Sequence, residues 1–173
     1  MGWEYRVFQQ HTSLSSLAGV KTYAENRKDT YIVISPRFGI KMRGGQGWEL
    51  KTRTAVSDRV PGLEMWSKEN VPDITGLTTL LSKKKAEQDE IEAAERCEMV
   101  VVTKCREKQW QGGVMVEQAE LSVTVEGEKE QWRSYCVEGE EDRIEQWLQG
   151  RDLEENTIIM GYPQWVCTLG HEN

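Results

Sequence analysis

The sequence predicts an α+β fold: an antiparallel, approximately eight-stranded sheet closed into a β-barrel, a tunnel with flanking helices. Three observations predict it. Strand-like stretches follow one another with few helical stretches between them, which excludes a doubly wound parallel sheet. Glycine-rich and polar turns separate those stretches. In four of them charged residues fall at alternate positions, so each charged set points to one face.

The elements follow in order. Trp3 to Gln9 alternates, with Trp3, Tyr5 and Val7 on one side and Glu4, Arg6 and Phe8 on the other, so it reads as a strand. Thr12 or Ser13 can cap a short helix carrying Leu14, Leu17 and Val20, and Asn26 to Asp29 read as a turn. Thr30 to Ser35 is a β-branched and aromatic run halted by Pro36. Strands are predicted at Gly39 to Arg43, Trp48 to Thr54 and Leu63 to Lys68, with Gly44, Gly45 and Gly47 marking a tight reversal. Asp73 to Arg96 is expected as one long helix, because Leu77, Leu80 and Leu81 recur at helical spacing ahead of a charged stretch. Met99 to Lys108, Val114 to Glu126 and Gln131 to Glu138 read as strands, separated by Gly112-Gly113 and by the turn around Gly127. A helix from Glu140 to Leu148 and a last strand from Tyr162 to Thr168 complete the expectation. With no repeat, linker or low-complexity tract, residues 1–173 are expected to form a single tunnel domain.

Composition narrows the function classes. The 173 residues carry 22 basic and 29 acidic side chains, a net charge of −7. A broad nucleic-acid-binding surface is disfavoured by that balance, although an internal basic channel is not. The charge is unevenly placed: residues 20–70 hold ten Lys or Arg against six acids, and residues 109–173 hold four against fourteen. A stretch of about 18 apolar residues, which a bilayer span needs, is absent, as is the apolar core of a signal peptide. A cytoplasmic protein without membrane association is therefore expected. Cys97, Cys105, Cys136 and Cys167 form no Cys-x-x-Cys pair and are read as reduced core thiols.

The charged sets carry the chemistry. They are Glu4 and Arg6; Lys41 and Arg43; Glu49, Lys51 and Arg53; and Lys104, Arg106 and Lys108. An antiparallel sheet wetted on one face has the same alternation. If helices and the seven tryptophans cover the other face, the charges turn inward, and so many enclosed cations require an anion and counter-charges. Glu49, Glu117, Glu120 and Glu138 are available for neutralisation and for binding a hard cation. Glu117 is unusual in sharing strand parity with Met115, Ala119, Leu121, Val123 and Val125; the plain explanation is a bulge near Gly112-Gly113 that shifts the register by one. With no Gly-x-Ser-x-Gly turn, no His–Cys pair and no P-loop or dinucleotide fingerprint, covalent acyl transfer and helix-capped phosphate binding have no residues to use.

Taken in order, these residues resemble the CYTH family, the triphosphate tunnel metalloenzymes. Gly2-Trp3-Glu4-Tyr5-Arg6 is similar to its opening Glu-x-Glu-x-Lys strand, with Gly2 in place of the first acid. Lys41-Met42-Arg43, Glu49 to Arg53, Lys104-Cys105-Arg106, Glu117 to Glu120, and Tyr135 to Glu140 are similar to its later motifs. The resemblance implies a tunnel that grips a triphosphate, with Arg6, Lys41, Arg43, Lys51, Arg53, Lys104 and Arg106 as substrate contacts. It implies Glu4, Glu117 and Glu138 as ligands of Mg2+ or Mn2+, and Glu4, Lys51 and Glu138 as the catalytic set. The expected function is metal-dependent hydrolysis of an organic triphosphate or tripolyphosphate; an RNA 5′-triphosphate end is a less favoured substrate. Two alternatives stand beside it: a degenerate relative that binds a phosphorylated ligand or a protein partner without turnover, and an unrelated α+β interaction module.

Overall fold

The computed structural model describes residues 2–11 and 25–169. Its elements are β1 (Gly2–His11), β2 (Glu25–Ser35), β3 (Phe38–Arg43), β4 (Trp48–Val56), β5 (Leu63–Val71), α1 (Leu77–Lys83), α2 (Gln88–Arg96), β6 (Met99–Gln111), β7 (Val114–Val125), β8 (Glu128–Gly139), α3 (Glu141–Leu148), β9 (Ile158–Ile159) and α4 (Tyr162–Leu169). The strands run in the order β5-β4-β3-β2-β6-β7-β8-β1, and β1 also pairs with β5 through Gly2 to Tyr5, so the sheet closes as an eight-stranded antiparallel barrel. The short β9 pairs with Val7 and Phe8 of β1, on the edge that β5 leaves beyond Tyr5. Among the described residues, no helix is long and apolar enough to cross a membrane.

Closure makes the alternation meaningful, because every second side chain now looks into the lumen. The outer face is apolar and covered. Ile32, Ile34, Phe38, Ile40 and Leu50 pack beneath Leu77 and Leu81 of α1 and Ala94 of α2. Tyr5, Val116 and Val137 pack with Ile144 of α3. Burying such large side chains contributes roughly 1.5–3 kcal/mol each and leaves the charged faces only the inside to occupy.

The lumen is divided along its length. At one end α4 packs into the barrel, and Tyr162, Trp165 and Val166 join Phe8, Tyr31, Val33, Val102, Leu121 and Trp132 in an aromatic stopper. Phe8 stacks on Trp165 with ring centroids 4.7 Å apart. A glycine is required beside it: a Cβ at Gly39 would come within 2.7 Å of the Pro163 ring. The other half of the lumen is charged.

This division explains Glu117. The β6–β7 and β7–β8 registers run unbroken past it, with Glu117 opposite Lys108 and Cys136, so no bulge shifts its position. Glu117 shares a face with Leu121 and Val123 because that face passes from the charged half of the lumen into the stopper.

Three expected elements differ. Residues 26–29 belong to β2, not to a turn, since Arg27 and Asp29 face a polar lumen and their polarity mimics a loop. The long helix is two, because Lys85 adopts a left-handed φ of 57° and the chain restarts at Glu87. That break lets Glu90 accept bonds from Arg37 at 2.6 Å and Ser35 at 2.7 Å while Ala93 and Ala94 turn to the core. The last strand is helix α4: enclosed within the stopper, it is apolar nearly all round, and its sequence lacks the amphipathic period that identifies a surface helix. The short helix expected after Thr12 lies outside the described residues.

Candidate functional site

The charged half of the lumen is a cavity of about 530 Å³, counting its mouth, with Tyr31, Tyr162 and Pro163 at its inner end. Nine cations line it against three carboxylates, within a chain whose net charge is −7. Adjacent strands deliver them in cross-strand register: Glu4 lies opposite Glu138, Lys51 opposite Lys68, and Lys41 opposite Glu49.

Arg6 and Lys104 form the floor. Arg6 is 6% exposed; it donates to Glu117 at 3.1 Å and lies 4.4 Å from the centre of the Tyr162 ring. Its Nε is buried without a hydrogen-bond partner. Lys104 Nζ sits 3.9 Å from the Tyr162 ring centre, pairs with Asp29 at 3.1 Å and donates to the Tyr31 hydroxyl. Above them Lys51 and Lys68 share Glu4, at 2.5 and 3.1 Å. Arg106 pairs with Glu117 at 2.8 Å and Glu25 at 2.5 Å. Lys108 bridges Glu117 and Glu138 at 3.5 and 3.6 Å, and Arg27 spans Glu25 and Asp29. Arg43, at the rim, pairs with no carboxylate among the described residues.

These carboxylates are shared rather than matched, so positive charge is left over. Burial pushes the Lys41 ammonium down to about 8, with Glu49 opposing the shift and Lys51 and Arg43 adding to it. Burial pushes Lys104 well below the usual lysine range despite Asp29. The carboxyls respond oppositely. Burial works against ionising Glu4, but Lys51, Lys68 and Arg6 outweigh it and hold the group at about 2; Arg6, Lys108, Lys104 and Arg106 hold Glu117 still lower. Two buried lysines that resist protonation, beside carboxyls held ionised by the surrounding cations, mark this part of the cavity as short of negative charge.

Oxygen ligands for a hard cation gather near the mouth. Carboxylate oxygens of Glu4 and Glu138 and the Cys136 Sγ lie within 4.8 Å of one another. Burial pushes the Cys136 thiol up, which keeps it protonated and a poor ligand. The usable donor set is therefore two carboxylates. That suits Mg2+ or Mn2+, which protein sites commonly hold by one or two carboxylates together with substrate phosphates. Glu117, committed to Arg6, Arg106 and Lys108, sits apart from this group.

Of the residues singled out in the sequence, Glu4, Arg6, Lys41, Arg43, Lys51, Lys104, Arg106, Glu117 and Glu138 all line the one cavity. Arg53 does not: it pairs with Glu64 at 2.6 Å, next to a β-bulge in β4. Glu120 points away from the lumen to Arg133, at 3.0 Å. Sequence reasoning overlooked Arg27, Lys68 and Tyr162. The Glu25-Arg27-Asp29 alternation running on to Tyr31, and the pair Trp66 and Lys68, were the available signals. Tyr162 offered none, because it enters from a helix.

No family model and no curated protein matches the chain. Among solved structures it is similar to one described as the putative adenylyl cyclase HpAC1 from Hippeastrum, said to reveal a dominant triphosphatase activity. The identity is 14%, the TM-score is 0.45, and the match covers 87% of this chain and 85% of that chain.

Proposed function

We propose that this chain binds a triphosphate-bearing substrate in the cationic lumen and hydrolyses it with the help of a divalent cation. The observation that carries the reading is the enclosed surplus of positive charge, nine lining cations against three lining acids and three more, Glu25, Asp29 and Glu49, paired to them from the side, in a protein that is acidic as a whole. Enclosing such a set costs free energy that only a polyanion or further carboxylates can offset.

The residues divide by depth. Arg6, with its unpartnered Nε, and Lys104 take the terminal phosphate at the floor. Lys41, Lys51 and Arg106 hold the following phosphates, and Arg43 guides the anion in at the rim. Guanidinium groups suit this task because their donors match phosphate oxygens in pairs. Glu4 and Glu138 would hold Mg2+ or Mn2+. Once bound, that ion would supply Lewis acidity at the phosphoryl oxygens. Glu138 has the most open side chain of the three lining carboxylates, 27% exposed against 6% for the others, and orients the attacking water. Positioning and charge stabilisation are most of what phosphoryl transfer asks of a protein, and no covalent intermediate is needed.

One observation favours a second reading, binding without turnover. Gly2 and Cys136 share the inward faces of Glu4 and Glu138 but supply no carboxylate, so the ligand set is thin. Calorimetric titration with tripolyphosphate, combined with phosphate release in Mg2+ or Mn2+, separates the two. Binding with metal-dependent release supports the hydrolase, and binding alone supports the second reading. No binding in either condition sinks both.

A further inference from the structure

The outer face of the barrel carries a second cavity, and no residue that lines it also lines the tunnel. Tyr5 and Val7 of β1 lie opposite Val137 and Tyr135 of β8, and all four point outward because Glu4, Arg6 and Glu138 beside them face the lumen. Trp147 and Leu148 of α3, Val60 and Pro61 before β5, and Ile159 of β9 wall this floor around a volume of about 1350 Å³, counting its mouth. Val7, Tyr135, Trp147 and Leu148 belong to the core cluster around Ile144 yet stay only partly buried, because no described residue fills the space between them.

Two features specify an occupant. Tyr5 is 7% exposed, and its hydroxyl has no hydrogen-bond partner among the described residues, whereas the Tyr135 hydroxyl accepts from Gln118 at 3.2 Å. A buried hydroxyl left unpaired costs free energy that a bound acceptor would offset. The charged side chains lining the cavity are Arg133, Arg151, Asp152 and Glu154, and their charges sum to zero. Arg133 is held by Glu120 at 3.0 Å; Arg151 lies over the Trp147 ring at 4.0 Å and donates to the Trp147 carbonyl at 2.8 Å. The lining therefore offers no surplus charge to an ion. We propose that this cavity binds an uncharged, mostly apolar small molecule, whose body packs against Val7, Val137 and Trp147 and whose hydrogen-bond acceptor takes the Tyr5 hydroxyl. Buried apolar area supplies the affinity, and the one hydroxyl supplies the orientation. The site is independent of what the tunnel holds.

The test is a fluorescence titration of the full chain with Nile red, an uncharged flat dye that carries a carbonyl acceptor and brightens in apolar surroundings. Saturable binding is expected, undisturbed by excess tripolyphosphate. Val7→Trp, which puts an indole into the cavity, is expected to weaken it by at least about tenfold. Tyr5→Phe removes only the hydroxyl and should weaken it by about fivefold. Val101→Ser, which removes an exposed apolar side chain of β6, should leave it within about twofold. Thermal unfolding reports whether each variant is folded, and if Val7→Trp is not, Tyr5→Phe decides alone. Cinnamyl alcohol should displace the dye more strongly than cinnamate, its charged counterpart. Wild-type protein that does not bind the dye overturns the proposal, as does unchanged affinity in the cavity variants or loss in Val101→Ser. Displacement by tripolyphosphate, or stronger competition by cinnamate, overturns it too.

Discussion

Arg6 and Glu117 meet at 3.1 Å across the intervening strand β8, where both lie opposite Cys136; both are almost fully buried, and Arg6 keeps one nitrogen unpartnered. The pair is an internal competitor. Glu117 occupies donors of Arg6 and Arg106 that a phosphate would otherwise take. Glu117→Gln is therefore expected to tighten tripolyphosphate binding while lowering stability by about 3 kcal/mol, since the cations it neutralised stay buried. Calorimetry and urea unfolding of the same variant read the two effects. Weaker binding would show that Glu117 helps hold the ligand.

Binding should take up protons. Lys41 is held at about 8 and Lys104 well below its ordinary range, chiefly by burial, and an entering polyanion raises both. Bound phosphate therefore favours the protonated forms, so the contribution of Lys41 to affinity is full below about pH 8 and is lost as pH rises above it. Titrations at pH 7.5 to 9 in buffers of different ionisation enthalpy check this as proton uptake, and an observed enthalpy independent of buffer would contradict it.

The two arginines of the third and fourth strands should behave differently. Arg43→Ala removes an unpaired rim cation and is expected to weaken tripolyphosphate binding by about tenfold, in line with a charged hydrogen bond. Arg53→Ala, whose side chain serves Glu64 outside the cavity, is expected to change affinity by less than about twofold and to cost about 1–3 kcal/mol of stability. Titration and thermal unfolding separate these outcomes.

Glu4 ties stability to acid. Its carboxyl stands at about 2 when folded against an ordinary 4.5, so the stability it contributes is present above pH 4.5 and is lost as pH falls towards 2. In Glu4→Gln the pH dependence of the urea midpoint across that window should flatten. Phosphate release, if the ligand assignment is right, should fall by at least about 100-fold in the same variant.

Gly39 and Pro163 give a packing test. A methyl group at position 39 would meet the Pro163 ring at 2.7 Å, so Gly39→Ala should shift α4 and cost about 1–3 kcal/mol in urea unfolding. An unchanged midpoint would mean that α4 is only loosely seated.

Much of the barrel was legible from alternation alone. Glu4-Tyr5-Arg6 and Lys104-Cys105-Arg106 announce strands with one charged face, and glycine turns separate most of the rest. What misled was polarity and apolarity in unusual places. Glu25 to Asp29 look like a loop because strand residues facing a charged lumen have loop-like composition. Tyr162 to Leu169 look like a strand because a helix packed into a barrel end is apolar on most sides.

The sequence by itself determined which residues are charged, how they alternate, and hence that they act as faces, since strand geometry sends neighbours to opposite sides whatever the fold. Only the tertiary structure decided which face is inside. That choice depends on the β1–β5 closure and on helices covering the outer surface, contacts between residues far apart in the chain that no local pattern encodes. The stopper follows the same rule: α4 makes the lumen one-ended by meeting Phe8, Tyr31 and Gly39, and nothing within its own eight residues specifies that destination.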